Sequence, residues 1–369
     1  MIDRRLVEYF DWWMLALTAL LAGFGLVALY SAVHAGADGN TSGLFTRQLI
    51  WYGAGSFVMI VAFLFNFKSY ERWGHIFYLL CILMLIAVLL FGKYVGGSKL
   101  WLAMGPISVQ PSEIVKLAVI VVLAKYYARV STTHGVGFRE LVTPFVLTAI
   151  PFALIVQQPD LGTAMVMALI AGSITFYVKI ERRTLNWLMA GCASIIPMVW
   201  MFLLKGYQKQ RILTFLNPDR DPLGTGYHII QSKIAIGSGM LTGKGFLKGT
   251  QNALDFLPEQ HTDFIFSVLS EEWGLLGSLT LLITFLMVIT WGLAIAQRSR
   301  DTFGKILAVG VTAMIAWQVA INIGMVMGLM PVVGVTLPFI SYGGSSIITM
   351  MAGMGLLLNV SMRRFLFES

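Results

Sequence analysis

Charge is scarce in this chain. Only 12% of its 369 residues are charged and 57% are hydrophobic, whereas an ordinary soluble domain carries roughly 25% charged residues. A soluble fold is therefore excluded. The net charge of +8 is not gathered into one patch, and no nucleic-acid surface is implied. Cysteine is nearly absent: Cys81 and Cys192 both lie in apolar runs, as inert packing thiols do, so no disulfide framework is expected. His34, His75, His134, His228 and His261 show no HExxH or similar ligand spacing, which argues against a structural zinc. A Walker A pattern, internal repeats and low-complexity tracts are all missing, and no nucleotide site is indicated.

What the chain has in abundance is long apolar runs. A bilayer span needs about 20 apolar residues, and about ten such runs are present, over 12–32, 48–66, 73–91, 113–129, 141–157, 161–178, 186–204, 265–296, 305–328 and 344–361. The first is too long for a signal h-region, so a retained helix is expected. The expected fold is all-α: a single polytopic membrane domain over 1–369 with about ten transmembrane helices.

The cations orient it. Fifteen Lys and Arg residues fall in the terminal tails and alternate loops, from Arg4 and Arg5 through Lys179, Arg182 and Arg183 to Arg363 and Arg364. The short loops of the other face hold only Arg47, Lys93, Lys99 and Lys116. Cytoplasmic loops carry the Lys/Arg excess, so both termini are expected in the cytoplasm. The long loop between helices seven and eight, residues 205–263, is then extracytoplasmic.

On that outer face lie four polar, Gly/Pro-broken segments: SKLWLAMGPISVQPSEIVK (98–116), QQPDLGTA (157–164), the long loop, and MPVVGVTLPFISYGGSS (330–346). Irregular backbone at membrane depth is tolerated only where protein or water satisfies it, so an outward cavity is expected. The stretch FLPEQHTDFIFSVLSEE (256–272) brings four carboxylates to the edge of an uncharged run. With a helix starting near Thr262, Asp263, Ser267 and Ser270 share one face. Such a polar stripe normally faces a bundle interior or a water-filled cavity. Asp263 also fits a helix N-terminal cap, where the dipole favours an anion. Glu271 and Glu272 fit structural positions at the membrane interface.

In QPSEIVK, Pro111 suits a first helical position, and Glu113 and Lys116 are three apart, close enough to pair or to hold an anionic head group. NPDRDPLG (217–224) reads as a turn-rich hinge. GYHIIQSKIAIGSG reads as a short amphipathic helix ending at Gly237. Beyond it, Gly239, Gly243, Gly245 and Gly249 alternate with Lys244 and Lys248, a composition suited to phosphate oxygens or to a mobile surface loop. Asp160, in QQPDLGTA, is a turn former or a functional acid. SYGGSS offers backbone relief or a small anion nest.

Taken together, QPSEIVKLA, QQPDLGTA, NPDRDPLGTGYHIIQSKIAIGSG, GKGFLKGTQ, LPEQHTDFIFSVLSEE and PFISYGGSS closely resemble the SEDS family (shape, elongation, division and sporulation proteins). The six blocks run in order over about residues 12–362. Within the family the chain looks more like elongation-type than division-type members: its N-terminal tail is short, and Val332 and Val333 stand where division-type members tend to carry Thr-Lys. Leu100 stands where members commonly carry Arg, with Lys99 beside it.

The resemblance implies a peptidoglycan glycosyltransferase of the bacterial cytoplasmic (inner) membrane. Such enzymes polymerise lipid II, a polyprenyl-pyrophosphate-linked disaccharide pentapeptide, during cell elongation. It implies Asp263 as the essential acid. We expect Asp263 to act as a general base, and the residues themselves offer Glu113, Lys116, Asp160, Arg211, Lys233, Lys244 and Ser267 as substrate-binding candidates. Lys116 is the cation best placed by sequence to meet the leaving pyrophosphate, a charge that Mg2+ or Mn2+ would otherwise help to neutralise. The implied partners are a class B penicillin-binding protein transpeptidase and the elongation machinery. A lipid II flippase is the competing reading.

Overall fold

The computed structural model describes residues 10–35, 42–95, 98–104, 107–130, 135–198, 201, 206–217, 225–254, 256 and 259–363. The hinge at 218–224, the terminal cations Arg4, Arg5 and Arg364, His134 and the side chain of Cys192 lie outside the described residues.

A helix stands on each of the ten apolar runs: α1 (Trp12–His34), α2 (Ser42–Leu64), α3 (Phe67–Phe91), α4 (Pro111–Val130), α5 (Phe138–Gln157), α6 (Leu161–Tyr177), α7 (Arg182–Met198), α11 (Ile265–Arg298), α12 (Thr302–Val326) and α13 (Gly344–Met362). Seven of them, α1, α2, α3, α5, α11, α12 and α13, are long and apolar enough to cross a bilayer. The protein is a polytopic, predominantly helical membrane protein. α4 carries Glu113, Lys116, Lys125 and Arg129, but these sit toward its ends and leave 117–124 uncharged.

Helices apolar on all sides belong inside a large bundle or against lipid, and the chain uses both solutions. α12 and α13 are buried along most of their length, as is α4, and α12 packs against α4, α6, α11 and α13. On α1, α2, α3 and α5 large apolar side chains such as Phe57, Leu83, Leu90 and Phe145 remain exposed. Aspartates mark the helix starts. Asp11 accepts from Met14 N–H at 3.2 Å, Asp160 from Thr163 N–H at 3.0 Å and Asp301 from Gly304 N–H at 2.8 Å. Each fills an orphan donor of a first turn.

Two expectations need correction. The segment before α4 is not irregular throughout: β1 (Lys93–Val95), β2 (Ser98–Met104) and β3 (Ile107–Val109) form an antiparallel sheet of order β1-β2-β3. Tyr, Val, Ile and Trp favour such a pleated surface, which adds a small β element to the all-α fold. The 205–263 loop, expected to hold one short amphipathic helix, contains three helices: α8 (Gly206–Leu216), α9 (Thr225–Ser238) and α10 (Thr250–Ala253). α9 matches the expected amphipathic helix. Its Ile229, Ser232 and Ala235 are buried at helical spacing and its packing partner is α11.

α11 is broken. Its 34 residues would reach about 51 Å, more than the roughly 30 Å hydrocarbon core. Gly274, at φ 64° and ψ −159°, divides it into a short segment, 265–273, and a membrane-length rod, 275–298.

Candidate active site

Asp263 sits in a turn directly ahead of α11, one residue before its N-cap Phe264. The helix therefore begins later than expected and Asp263 is not on it. The serines below are sealed: the Ser267 hydroxyl pairs with Ser232 at 2.8 Å, and Ser270 accepts from Ser278 at 2.9 Å. Ser267 has no exposed surface, so the expected stripe is a packing seam and not a cavity wall.

The Asp263 carboxylate is partly buried, and among the described residues no donor bonds to it. Burial pushes it up to about 6; Glu259 and Asp160 push the same way and the Arg211 guanidinium opposes them. Gly334 faces it: a side chain at that position would begin 3.6 Å from Oδ2, and the backbone there is left-handed, φ 73°. His261, two residues earlier, is lowered by its burial and is neutral at pH 7. It brings no competing charge.

A second polar cluster involves Asp160. Its Oδ2 faces Gln110 Nε2 and the Ser112 hydroxyl, both at 3.3 Å. Burial raises its pKa, as does Glu113, while the Thr163 hydrogen bonds and Lys116 oppose this. Glu113 and Lys116 form the anticipated pair at 2.8 Å, but both are buried, Lys116 to 1% exposure. The pair is satisfied on one side only, since Glu113 Oε2 has no partner among the described residues, and a desolvated pair of that kind is costly to bury. Lys116 thus acts through its field here, and Arg211 on α8 is the partly exposed cation that Asp263 senses. Lys233 is exposed on α9.

Lys244 belongs to a different structure. Its Nζ lies 2.6 Å from Glu271 Oε1, which also accepts from the Thr250 hydroxyl and Gln251 N–H, each at 3.1 Å. Glu272 accepts from Ser31 and is faced by the N–H groups of Leu247 and Gly249. The same loop repairs the break in α11. Lys244 and Gly245 N–H donate to the carbonyls of Glu271 and Glu272, and Leu275 and Leu276 N–H donate to those of Met240 and Leu241, at 2.8–3.1 Å. The Gly-Lys loop is therefore a clasp on the helix, not a free phosphate cradle. Glu271 and Glu272 are structural, as expected, but they lie inside the protein rather than at its lipid boundary.

The described carboxylates do not assemble a ligand set for Mg2+ or Mn2+: no group of three His, Cys, Asp or Glu side chains could hold an ion among the described residues. A groove of about 440 Å³ is lined by Phe246, Glu272, Trp273, Leu276 and Thr280 and not by Asp263. Sequence reading passed over Asn322, Gln48 and Ser341, buried polar side chains around the Asp263 turn. Asn322 left a signal: it is one of two amides, with Gln318, in the apolar run 305–328.

Residues 11–365 match the FtsW/RodA/SpoVE family model, described as cell cycle proteins. The chain is 42% identical over 347 residues to the peptidoglycan glycosyltransferase MrdB of Escherichia coli K12, covering 94% of this chain and 93% of that protein. It is 32% identical over 432 residues to the peptidoglycan glycosyltransferase RodA of Treponema pallidum, covering 98% and 99%. Its fold superposes with a TM-score of 0.81 on a chain of a peptidoglycan synthase complex that coordinates polymerization and crosslinking, at 30% identity, covering 96% and 98%. For the rod shape determining protein RodA of Thermus thermophilus the TM-score is 0.70 at 27% identity, covering 96% and 98%. With its motifs, its helices and nearly its full length aligned on theirs, the chain belongs to the FtsW/RodA/SpoVE family, the SEDS proteins.

Proposed function

We propose that this chain is a peptidoglycan glycosyltransferase that polymerises lipid II, with Asp263 as the general base. The observation that carries the proposal is the state of that carboxylate: raised to about 6, unbonded among the described residues and partly open. A base poised near the working pH is ionised yet still basic, and such groups typically contribute 10²–10⁴-fold.

The acceptor's GlcNAc 4-hydroxyl attacks C1 of the donor MurNAc, and its proton passes to Asp263. The C1–oxygen bond breaks and polyprenyl pyrophosphate leaves with the electron pair. Its negative charge needs a cation; Arg211 is the cation whose field reaches Asp263, and Lys233 is exposed on the neighbouring α9. Lys116 and Glu113 hold the field beneath Asp160 rather than touch substrate.

The active turn lies on the outer face of the bacterial cytoplasmic membrane, with ten spans and both termini in the cytoplasm, as the Lys/Arg distribution supports. The E. coli and T. pallidum relatives carry the glycosyltransferase name. The partner is a single-span class B penicillin-binding protein, in keeping with the synthase complex to which the fold is similar. A flippase is disfavoured: the unusual polar residues cluster at one end of the bundle, and the relatives' names specify chemistry.

The test is purified protein with lipid II in detergent. Wild type makes glycan chains without membrane sidedness; Asp263→Asn makes little or none while staying folded. Full polymerisation by Asp263→Asn sinks the assignment of the base, and no polymerisation by wild type with its partner sinks the activity.

A further inference from the structure

Three successive carbonyl oxygens, those of His261, Thr262 and Asp263, are each taken by a donor from far along the chain. Tyr342 N–H donates to His261 O at 2.9 Å, the Ser341 hydroxyl to Thr262 O at 2.6 Å, and Asn322 Nδ2 to Asp263 O at 3.0 Å. These carbonyls precede α11, so no intrahelical N–H serves them, and each needs an outside partner where water is shut out. The turn is pinned on its main-chain side, while among the described residues the Asp263 side chain has no hydrogen-bond donor.

The pins are themselves locked. The Ser341 oxygen accepts from Leu337 N–H at 2.8 Å; a hydroxyl has one proton to give, and it goes to Thr262. Asn322 Nδ2 also donates to Val335 O at 2.7 Å, which ties Asp263 to the irregular segment whose Gly334 faces the carboxylate. Gln48 on α2 holds both sides of Tyr342: its Nε2 donates to Ser341 O at 3.1 Å and its Oε1 accepts from Gly343 N–H at 3.3 Å. All three side chains are at most 2% exposed.

We propose that Asn322, Ser341 and Gln48 are positioning residues for the transfer reaction: a clamp that fixes the Asp263 carboxylate from behind. This gives the PFISYGGSS motif a task, since Ser341 and Tyr342 hold the His-Thr-Asp turn. It rests on the reading of Asp263 as the base, and the experiment separates the two.

The full-length chain is purified and kcat and KM for lipid II are measured. Ser341→Ala lowers kcat about 10- to 100-fold with KM within about twofold, because misplacing a reacting group by about 1 Å costs up to roughly 10²-fold. Ser341→Thr, which keeps the hydroxyl, restores most of the rate. In an Asp263→Asn background Ser341→Ala changes the residual rate no further. Asn322→Ala gives a larger loss than Ser341→Ala; where it fails to fold, Gln48→Met carries the same test. Hydrogen exchange of the 259–264 peptide reports the clamp without activity and is faster in each variant.

Wild-type kcat in both Ser341→Ala and Gln48→Met would overturn the clamp, as would rate losses that only track loss of folded protein with unchanged exchange at 259–264. Additive losses on top of Asp263→Asn would show that the clamp acts on some other group. An active Asp263→Asn with faster exchange in Ser341→Ala would instead overturn the base while leaving the turn's tethering intact.

Discussion

Asp263 and the Glu271–Glu272 pair lie within ten residues of each other, and the protein treats them in opposite ways. Oε1 of Glu271 collects three donors, from Lys244, Thr250 and Gln251. Glu272 is held by Ser31 and two backbone N–H groups. Asp263 has its main chain bonded and its carboxylate bare among the described residues. Burying a carboxylate is tolerable once donors and a counter-charge meet it, as they do at Glu271 Oε1 although its Oε2 has no partner among the described residues, and such groups fix structure. A carboxylate left partly open and unfilled keeps its affinity for a proton, which is what a base requires. The difference lies in where the donors point, and charge or hydropathy alone does not reveal it.

The largest effect that sharpens this contrast is in rate. Asp263→Asn should lower polymerisation by about 10²–10⁴-fold without lowering the unfolding midpoint. The direction of the stability change follows from linkage. Asp263 binds its proton more tightly folded, at about 6, than at the ordinary 3.8, so its contribution to stability falls as pH rises from about 4 to 6. Asn, uncharged at every pH, removes that penalty above pH 6. A variant both inactive and unfolded would place Asp263 with the structural acids.

The second effect runs the other way. Glu271→Gln keeps the shape but leaves Lys244 without its counter-charge. Breaking a buried pair from one side costs 3–5 kcal/mol; with Lys244 about a quarter exposed, the low end applies, roughly 3 kcal/mol. Thermal unfolding in detergent should show it as a clear drop in midpoint, and Lys244→Met should do the same. Catalysis per folded molecule changes far less than for Asp263→Asn. Equal stability with lost turnover would move Glu271 into the catalytic group.

This division also explains what could be seen in the sequence. Helix positions were legible because an apolar run of 17–25 residues has few other ways to be buried. The capping roles of Asp11, Asp160 and Asp301 were not legible: Asp160 read as a turn former or a functional acid, and an Asp caps only where the chain turns into a helix at that residue. The Glu113–Lys116 pair was legible from its spacing, but its complete burial was not, because it depends on α6 and α12 packing over α4. Lys244 looked like a phosphate ligand since composition cannot say that its partner stands 27 residues away. The break at Gly274 was hidden for the same reason: only the returning 240–245 backbone makes an unpaired helix turn affordable. Asn322 shows as an amide in an apolar run, but the carbonyls that it, Ser341 and Gln48 hold in and around the turn lie 13 to 293 residues away, and no local pattern names them.

The smallest effect tests whether Asp263 titrates as the environment dictates. Its working form is the carboxylate, so polymerisation should rise with pH through about 6 and level off above it. Two neighbours set that limb with opposite sign. Glu259, an exposed acid, raises the proton affinity, and Arg211 lowers it. Glu259→Gln should therefore move the acidic limb of the kcat/KM profile to lower pH, and Arg211→Gln should move it to higher pH. Both interactions reach solvent and weaken with added salt, so the gap between the two limbs should narrow as ionic strength rises. Arg211→Gln should also raise KM if the guanidinium meets the pyrophosphate, whereas Glu259→Gln should not. Limbs moving in the same direction, or a limb absent altogether, would mean that the titrating group is not the one at residue 263.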